Sequence, residues 1–247
     1  MAAPRLSIII PALNEEAALP ATLARLAALD PAPHEILLVD GGSTDRTTAL
    51  AREAGLTVLN HAPPGRAGQM NAGAASATGD HLAFLHADTL PPIDLAATIA
   101  RTLANPRTAC AGFVSVMRGP RQTRWLTTTH NFIKTWYAPL LFRPISFARG
   151  ARLLFGDQLI FCRAGDFRAI GGFDPNQSIM EEADFILRMV RAGRGRVRQT
   201  PRLVHSSDRR VAKWGGLRAN LRYIEVGVKW GLGADSSRLA ARYEDVR

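Results

Sequence analysis

The groups able to do chemistry in this 247-residue chain gather where short apolar runs stop. The run LSIIIPAL (6–13) gives way to Asn14, Glu15 and Glu16. EILLVD (35–40) ends on Asp40 and is followed by Gly41, Gly42, Ser43, Thr44 and Asp45. LTVLN (56–60) leads into HAPPGRAGQMNAGA (61–74), which carries Arg66 and Asn71. HLAFLHAD (81–88) closes on His86 and Asp88, before Thr89. Carboxylates accept hydrogen bonds from a base or ribose, hold hard cations and take protons, whereas arginine suits phosphate. Taken singly, Asn14 and Asp45 read as helix caps and Gly41-Gly42 as a turn. Polar clusters at four consecutive strand ends form the pattern of a binding crevice, because ligands of open α/β sheets lie beyond the carboxyl ends of the strands.

A second set lies further along. Glu181, Glu182 and Asp184 put three acids in four positions at the start of a helical pattern. Compensating the helix dipole needs fewer. Glu181 and Asp184 are spaced to share a helix face, with Glu182 pointing elsewhere. Asp157 and Gln158 precede another apolar run and are placed to hold hydroxyl groups. His205 is followed by Ser206, Ser207, Asp208, Arg209 and Arg210. Arginine suits bidentate phosphate contacts, which makes Arg209 and Arg210 candidate contacts for a phosphate or diphosphate group.

The elements that must position these groups alternate strand and helix, the α/β pattern. Besides the four runs above, CAGFVSVM (110–117), DQLIFCRA (157–164) and VRQTPRLVH (197–205) read as strands. Nearly unbroken apolar runs predict a mostly parallel sheet with helices on both faces. Helical spacing falls at about 16–29, 45–54, 66–78, 92–104, 165–172, 181–193 and 214–231. Residues 122–142, rich in aromatics, fit either a helix or a lid.

Composition narrows the class. Hydrophobic residues make up 47% and charged residues 21%, which excludes a disordered or low-complexity chain. Two cysteines, Cys110 and Cys162, make no disulfide framework or cysteine-rich zinc site. No run reaches the length of a membrane span, and the N-terminus lacks the pattern of a signal peptide. These features predict a cytoplasmic protein. The net charge of +10 is uneven: residues 1–190 hold 17 Lys+Arg against 16 Asp+Glu, and residues 191–247 hold 14 against 5. A basic tail favours anionic partners. No G-x-G-x-x-G follows the first strand and no G-x-x-x-x-G-K-[ST] occurs, which argues against dinucleotide enzymes and P-loop NTPases.

In their order, SIIIPALNEE, VDGGSTDRT, GRAGQMNAGA, FLHADT, GDQ and MEEADF resemble the motifs of family 2 glycosyltransferases. The HAD, RAGQMN and GDQ variants are similar to those of a bacterial subgroup. The resemblance covers roughly residues 5–205. It implies a single-domain α/β fold of the GT-A type, with catalytic domain 1–205 and a basic helical tail 206–247. By position, Pro11, Asn14 and Glu15 would border the nucleotide, Asp40 would contact the base, and Arg66 and Asn71 would lie by ribose or phosphate. Asp88 matches the last acid of the family's D-x-D metal motif, and His86 stands where its first acid is usual. One carboxylate with a diphosphate and waters still suits Mg²⁺ or Mn²⁺, and His86 could join for Mn²⁺. The family's acidic pair falls on Glu181 and Glu182, with Glu182 at the base position where Asp is usual.

The expectation is an inverting, metal-dependent sugar transfer from a nucleoside-diphosphate sugar, UDP-sugar first, to an acceptor hydroxyl. A nucleotidyltransferase on a related sheet and a non-enzymatic anion-binding or nucleic-acid-binding module are the alternatives. The chain has PALNEE after its first strand, where a nucleotidyltransferase usually carries a Gly-rich loop with Arg and Lys. Nucleic acid is disfavoured as a partner. The 214–231 helix mixes Leu217, Leu221, Ile224, Val228 and Trp230 with Arg218, Arg222 and Lys229, which fits either peripheral contact with an anionic membrane and a lipid-linked or amphiphilic acceptor, or a stripe packed on the catalytic domain with its arginines facing water.

Overall fold

The computed structural model describes residues 4–62 and 65–240. Residues 1–3, Pro63 and Pro64 of the 61–74 segment, and residues 241–247 of the basic tail lie outside them.

The first half is built as the apolar runs predict. Strand β1 (Leu6–Ala12), helix α1 (Leu19–Ala27), β2 (Glu35–Asp40), α2 (Thr47–Glu53), β3 (Thr57–Asn60), α3 (Arg66–Ser76) and β4 (His81–Phe84) follow in turn. β1 pairs in parallel with both β2 and β4, and β2 with β3. Side chains on a strand alternate between faces, and β1 shows the consequence. Ile9 packs with Met70 and Ala74 of α3 on one side. Ile8 and Ile10 pack with Leu19 and Leu26 of α1 on the other. Helices thus cover both faces of the sheet.

The second half adds β5 (Thr89–Leu90), α4 (Leu95–Leu103), β6 (Thr108–Arg118), α5 (Trp125–Phe142), α6 (Pro144–Ala148), a 3₁₀ turn at Gly156–Gln158, β7 (Ile160–Arg163), α7 (Ala164–Ala169), α8 (Glu181–Arg191), β8 (Arg196–Ser207), α9 (Arg209–Trp214), α10 (Gly216–Gly231) and α11 (Ser236–Ala240). The eight-stranded sheet runs β3-β2-β1-β4-β7-β6-β8-β5. β7 is antiparallel to both β4 and β6, and β5 is antiparallel to β8. The other strands share one direction, so the sheet is mostly parallel. Phe84, Phe167, Phe173 and Phe185 stack at centroid distances of 4.8–5.5 Å and tie α7 and α8 to β4.

Three boundaries differ from the sequence reading. The 81–88 run leaves the sheet after Phe84: Thr89 N–H donates to His86 O, and the turn sends β5 to pair with β8. The 157–164 run starts as the 3₁₀ turn, held by Phe155 N–H donating to Gln158 Oε1. The 214–231 helix is divided at Gly215, whose φ of +82° ends α9. Residues 122–142, open between helix and lid, are helical from Trp125 to Phe142. Cys110 and Cys162 face each other across β6 and β7 as buried free thiols. Among the described residues no helix is long and apolar enough to cross a membrane.

Candidate active site

Beyond the carboxyl ends of β1 and β4 lies a pocket whose far walls are α5, α8 and α10. Pro11, Glu15, Arg66, His86, Asp88, Asp157, Glu181, Glu182, Arg209 and Arg210 all line it. Residues far apart in the chain therefore meet, as the strand-end pattern predicts.

Helix α8 delivers the acids. Met180, just before it, adopts the left-handed conformation (φ +64°), which for a residue with a Cβ is held only by its surroundings. Glu181 and Glu182 follow in the first turn, and both are buried, at 1% and 5% exposure. Arg66 Nη1 donates to Glu181 Oε1 at 3.1 Å. Glu182 Oε1 lies 3.7 Å from His86 Nε2. That separation is too long for a hydrogen bond, and neither atom has another partner among the described residues. Burial, then the charge of Glu182, pushes the Glu181 carboxyl up to about 7 against the pull of Arg66. Burial also raises Glu182, but His86 and Arg66 more than offset it, so Glu182 lies below the ordinary carboxylate range. Of the pair, Glu181 is therefore the one that holds a proton as the pH approaches 7 from below, while Glu182 ionises first.

Asp184 does not share the direction of Glu181, as simple helical spacing had suggested. Its carboxylate accepts from Arg188 Nε at 2.7 Å, and Arg188 in turn donates to the carbonyls of Ile170 and Gly172. A strong local cation turns Asp184 along the helix, while the two glutamates enter the pocket together.

Asp88 and Glu15 flank Arg209. Arg209 Nε and Nη2 lie 3.1 and 3.0 Å from Asp88 Oδ2. Its Nη1 lies 2.8 Å from Glu15 Oε2. The guanidinium bridges the ends of β1 and β4. Among the described residues no group of three His, Cys, Asp or Glu side chains could hold a metal ion alone. The donor set still fits a hard cation bound with a diphosphate. Both Arg209 contacts fall on Asp88 Oδ2, which leaves Oδ1 to coordinate, and such ions keep oxygen ligands from phosphate and water.

Other candidates hold the loops. Asp40 accepts from the N–H groups of Gly42 and Ser43 at 3.0 Å. Asn14 (φ +53°) accepts from Thr44 N–H and, through its own N–H, donates to Ser43 Oγ, which laces the loops after β1 and β2. Asn71 is a clamp: its amide donates to Phe173 O and accepts from Phe173 N–H, at 2.8 and 2.9 Å. Gln158 is buried and donates to Thr135 Oγ1, beside its bond with Phe155. Asp157 accepts from Asn131 Nδ2 at 2.9 Å. Asn14, Asp40, Asn71, Gln158, Asp184 and His205 are absent from the pocket lining. Burial and the charges of Arg118 and Arg25 push the His205 imidazole down, toward its neutral form.

Several pocket residues went unread in the sequence. α5 contributes Asn131, Lys134 and Tyr137. Lys134 Nζ sits 3.9 Å from the Phe155 ring centroid. Burial lowers its pKa, opposed by Asp157 and Glu182. Its signal was its rarity: Lys134 is one of 3 lysines beside 28 arginines. Gln69 donates to the carbonyls of Ala12 and Val39, both at 2.8 Å, where β1 and β2 end.

Known proteins resemble this chain in sequence and in fold. A PGL/p-HBAD biosynthesis glycosyltransferase of Mycobacterium bovis is 34% identical over 203 residues, covering 76% of this chain and 70% of the relative. A mannosyltransferase from Pyrobaculum calidifontis, solved with GDP-Man and Mn²⁺, superposes with a TM-score of 0.65 at 20% identity, covering 100% of this chain and 66% of that one. Glucosyl-3-phosphoglycerate synthase from Mycobacterium tuberculosis, solved with Mn²⁺, UDP and phosphoglyceric acid, superposes at 0.63 with 20% identity, over 93% of this chain and 79% of that one. The two structures share the GT-A fold with this chain. Residues 7–169 match the family described as glycosyl transferase family 2, and with that match and the mycobacterial relative the chain belongs to this family and is a glycosyltransferase.

Proposed function

We propose that the protein transfers a sugar, with inversion, from a nucleoside-diphosphate sugar to a hydroxyl of an amphiphilic acceptor, and that it uses Mg²⁺ or Mn²⁺. The observation that carries this reading is the meeting of Glu182, whose carboxyl lies below the ordinary range and whose Oε1 has no hydrogen-bond partner among the described residues, with His86, Asp88 and Arg209 in one pocket. Pro11 and Glu15 lie on the wall nearest β1, where the nucleotide would rest. UDP-sugars are the first donors to try, since UDP and GDP-Man both occupy solved relatives of this fold.

Inversion is one displacement. The acceptor oxygen attacks the anomeric carbon on the face opposite the diphosphate. The new carbon–oxygen bond forms as the bond to the diphosphate oxygen breaks, and the acceptor proton passes to the Glu182 carboxylate. The charge on Glu182 makes it ready to receive that proton. Glu181, with its carboxyl pushed up to about 7, is protonated part of the time near neutral pH and so adds less than a full like charge beside it. Arg209 and Arg210 meet the departing diphosphate. Asp88 Oδ1 would hold a divalent cation, which when bound neutralises phosphate charge.

The remaining wall describes the acceptor. Tyr137, Phe142, Phe155, Tyr223 and Trp230 line the pocket beyond the acids. Such a surface suits an aromatic or aliphatic body carrying the hydroxyl.

A panel of nucleotide sugars with Mn²⁺ or Mg²⁺ tests the reading, scored by thermal stabilisation and by release of nucleoside diphosphate. A ligand at a hundred times its Kd stabilises the fold by about 2.7 kcal/mol. Glu182→Gln should lower kcat by about 10² to 10⁴ with donor affinity retained. Full activity of that variant, or a crippling effect of Glu181→Gln instead, refutes Glu182 as the base.

A further inference from the structure

Helix α5 is turned inside out. Its buried positions are Thr127, Thr128, Asn131, Thr135 and Pro139. Trp125, Leu126, Phe132, Ile133, Trp136 and Leu140 face outward at 43–67% exposure. A helix that serves only its own core shows the reverse arrangement. Helix α10 repeats the pattern: Ala219, Asn220 and Gly231 are buried, while Leu217, Leu221, Ile224 and Val228 stand outside at 36–70%. The two helices join through polar and small groups. Asn220 Nδ2 donates to Thr127 Oγ1 at 2.9 Å, His130 Nδ1 lies 3.2 Å from Asn220 Oδ1, and Gly231 abuts the Phe142 ring.

Single exposed apolar residues are ordinary. Here they are concentrated: outside α5, α6, α10 and Leu232 just after it, only Ile93 and Leu203 of the described large apolar residues are exposed. Patches of this kind mark a contact surface. The charge around them says with what. Between Asp94 and Asp157 the sequence has nine basic residues and no acid. On α10 Glu225 alone stands against Arg218, Arg222 and Lys229. A second copy of the chain would bring the same cations together, and like charges across an interface oppose association. α10 carries Arg218, Arg222 and Lys229 along with its apolar positions, and Arg152 stacks on the exposed Trp136 of α5 at 4.5 Å, and an apolar stripe with cations beside it matches the headgroup boundary of an acidic bilayer.

We propose that the outer faces of α5 and α10 dock the protein on a membrane surface rich in anionic phospholipid. The contact is interfacial, since no described helix crosses a membrane. The sequence placed such contact on the 214–231 helix alone, whereas the structure gives α5 the more aromatic share. Ile224 and Val228 belong both to the α10 stripe and to the pocket lining. The pocket therefore opens on the docking face, so an acceptor hydroxyl could arrive on a lipid without leaving the bilayer. That last step rests on the transferase reading; the docking does not.

Sedimentation of the full chain with vesicles tests the proposal. One set is phosphatidylcholine alone; the other contains about one-third phosphatidylglycerol. Partition onto the acidic set should be at least about tenfold stronger and should weaken as salt rises. The double variants Ile133→Ser/Leu140→Ser and Leu217→Ser/Leu221→Ser should each reduce it about tenfold, with melting temperature and nucleotide-sugar affinity unchanged. A chain that binds acidic vesicles but no nucleotide sugar supports docking and refutes the function proposed above. Donor turnover without vesicle binding refutes the docking. So does equal binding to both vesicle sets, or lipid-free self-association that the serine variants abolish.

Discussion

Gly156 is where the smallest perturbation should have the largest catalytic effect. It begins the 3₁₀ turn and its α-carbon lies against the His86–Glu182 pair. A Cβ at this position would fall 2.1 Å from His86 Nε2, 2.2 Å from its Cε1 and 2.5 Å from Glu182 Oε1. Ordinary contact begins near 3.4 Å, so Gly156→Ala forces the imidazole or the carboxylate back by about 1 Å. A misplacement of that size costs about 10²-fold in rate. Overpacking costs about 1–3 kcal/mol. At about 2–4 °C per kcal/mol for a chain of this size, the melting temperature should fall by about 2–12 °C. Gly165→Ala is the control, because nothing lies within 4 Å of its added Cβ. The assay is release of nucleoside diphosphate at saturating donor, which separates kcat from KM, alongside a melting curve. If Gly156→Ala keeps kcat within about threefold of the parent, the His86–Glu182 pair is not the reacting centre.

Three further outcomes are expected. Asp88→Asn should remove the metal-stimulated part of turnover, so that a chelator has no further effect; the melting temperature should hold, because Glu15 still engages Arg209. The Glu181 carboxyl is raised from 4.5 to about 7. The folded state therefore keeps a proton that the unfolded chain releases, a stabilisation complete below pH 4.5 and lost as pH rises through about 7. Relative to Glu181→Gln, the parent should lose roughly 3 kcal/mol across that window, read as melting temperatures at about pH 5 and pH 8. Asn71→Ala leaves both backbone groups of Phe173 without their partner, so stability should drop by about 2 kcal/mol; an unchanged melting temperature with a weakened donor Kd would place Asn71 on the ligand instead.

The parts of the fold that follow local rules were legible in the sequence. β1 and β2 are unbroken apolar runs ended by polar turn residues, and they lie where those runs predict. The order of strands was not legible. Nothing local says that β7 slips between β4 and β6, because that pairing brings together residues 81–84 and 160–163. α5 was hidden for a different reason. Periodicity finds a helix by assuming that its apolar stripe faces the core, and the stripe of α5 faces away from it. With periodicity unable to decide between helix and lid, Asn131 and Lys134 could not be placed in the pocket.

The candidate site shows a further limit of reading residue types. Each cation and acid was assigned a ligand on its own: Arg209 a diphosphate, Asp88 a metal, Arg66 a phosphate, Glu182 a proton. In the folded chain these groups first answer one another. Arg209 lies between Asp88 and Glu15, Arg66 holds Glu181, and His86 faces Glu182. A charge half-buried without a partner is costly, so a site that must admit a diphosphate is stable beforehand only if its cations already have acids to meet. The pair that departs from this pattern is the informative one. His86 and Glu182 are close enough to feel each other's charge, yet at 3.7 Å neither satisfies the other, and among the described residues neither Nε2 nor Oε1 has a hydrogen-bond partner. Arg66 and Arg209 hold their neighbours in place, whereas the His86–Glu182 contact leaves hydrogen-bonding capacity unspent on the pocket wall, the state expected of groups that meet a ligand rather than one another.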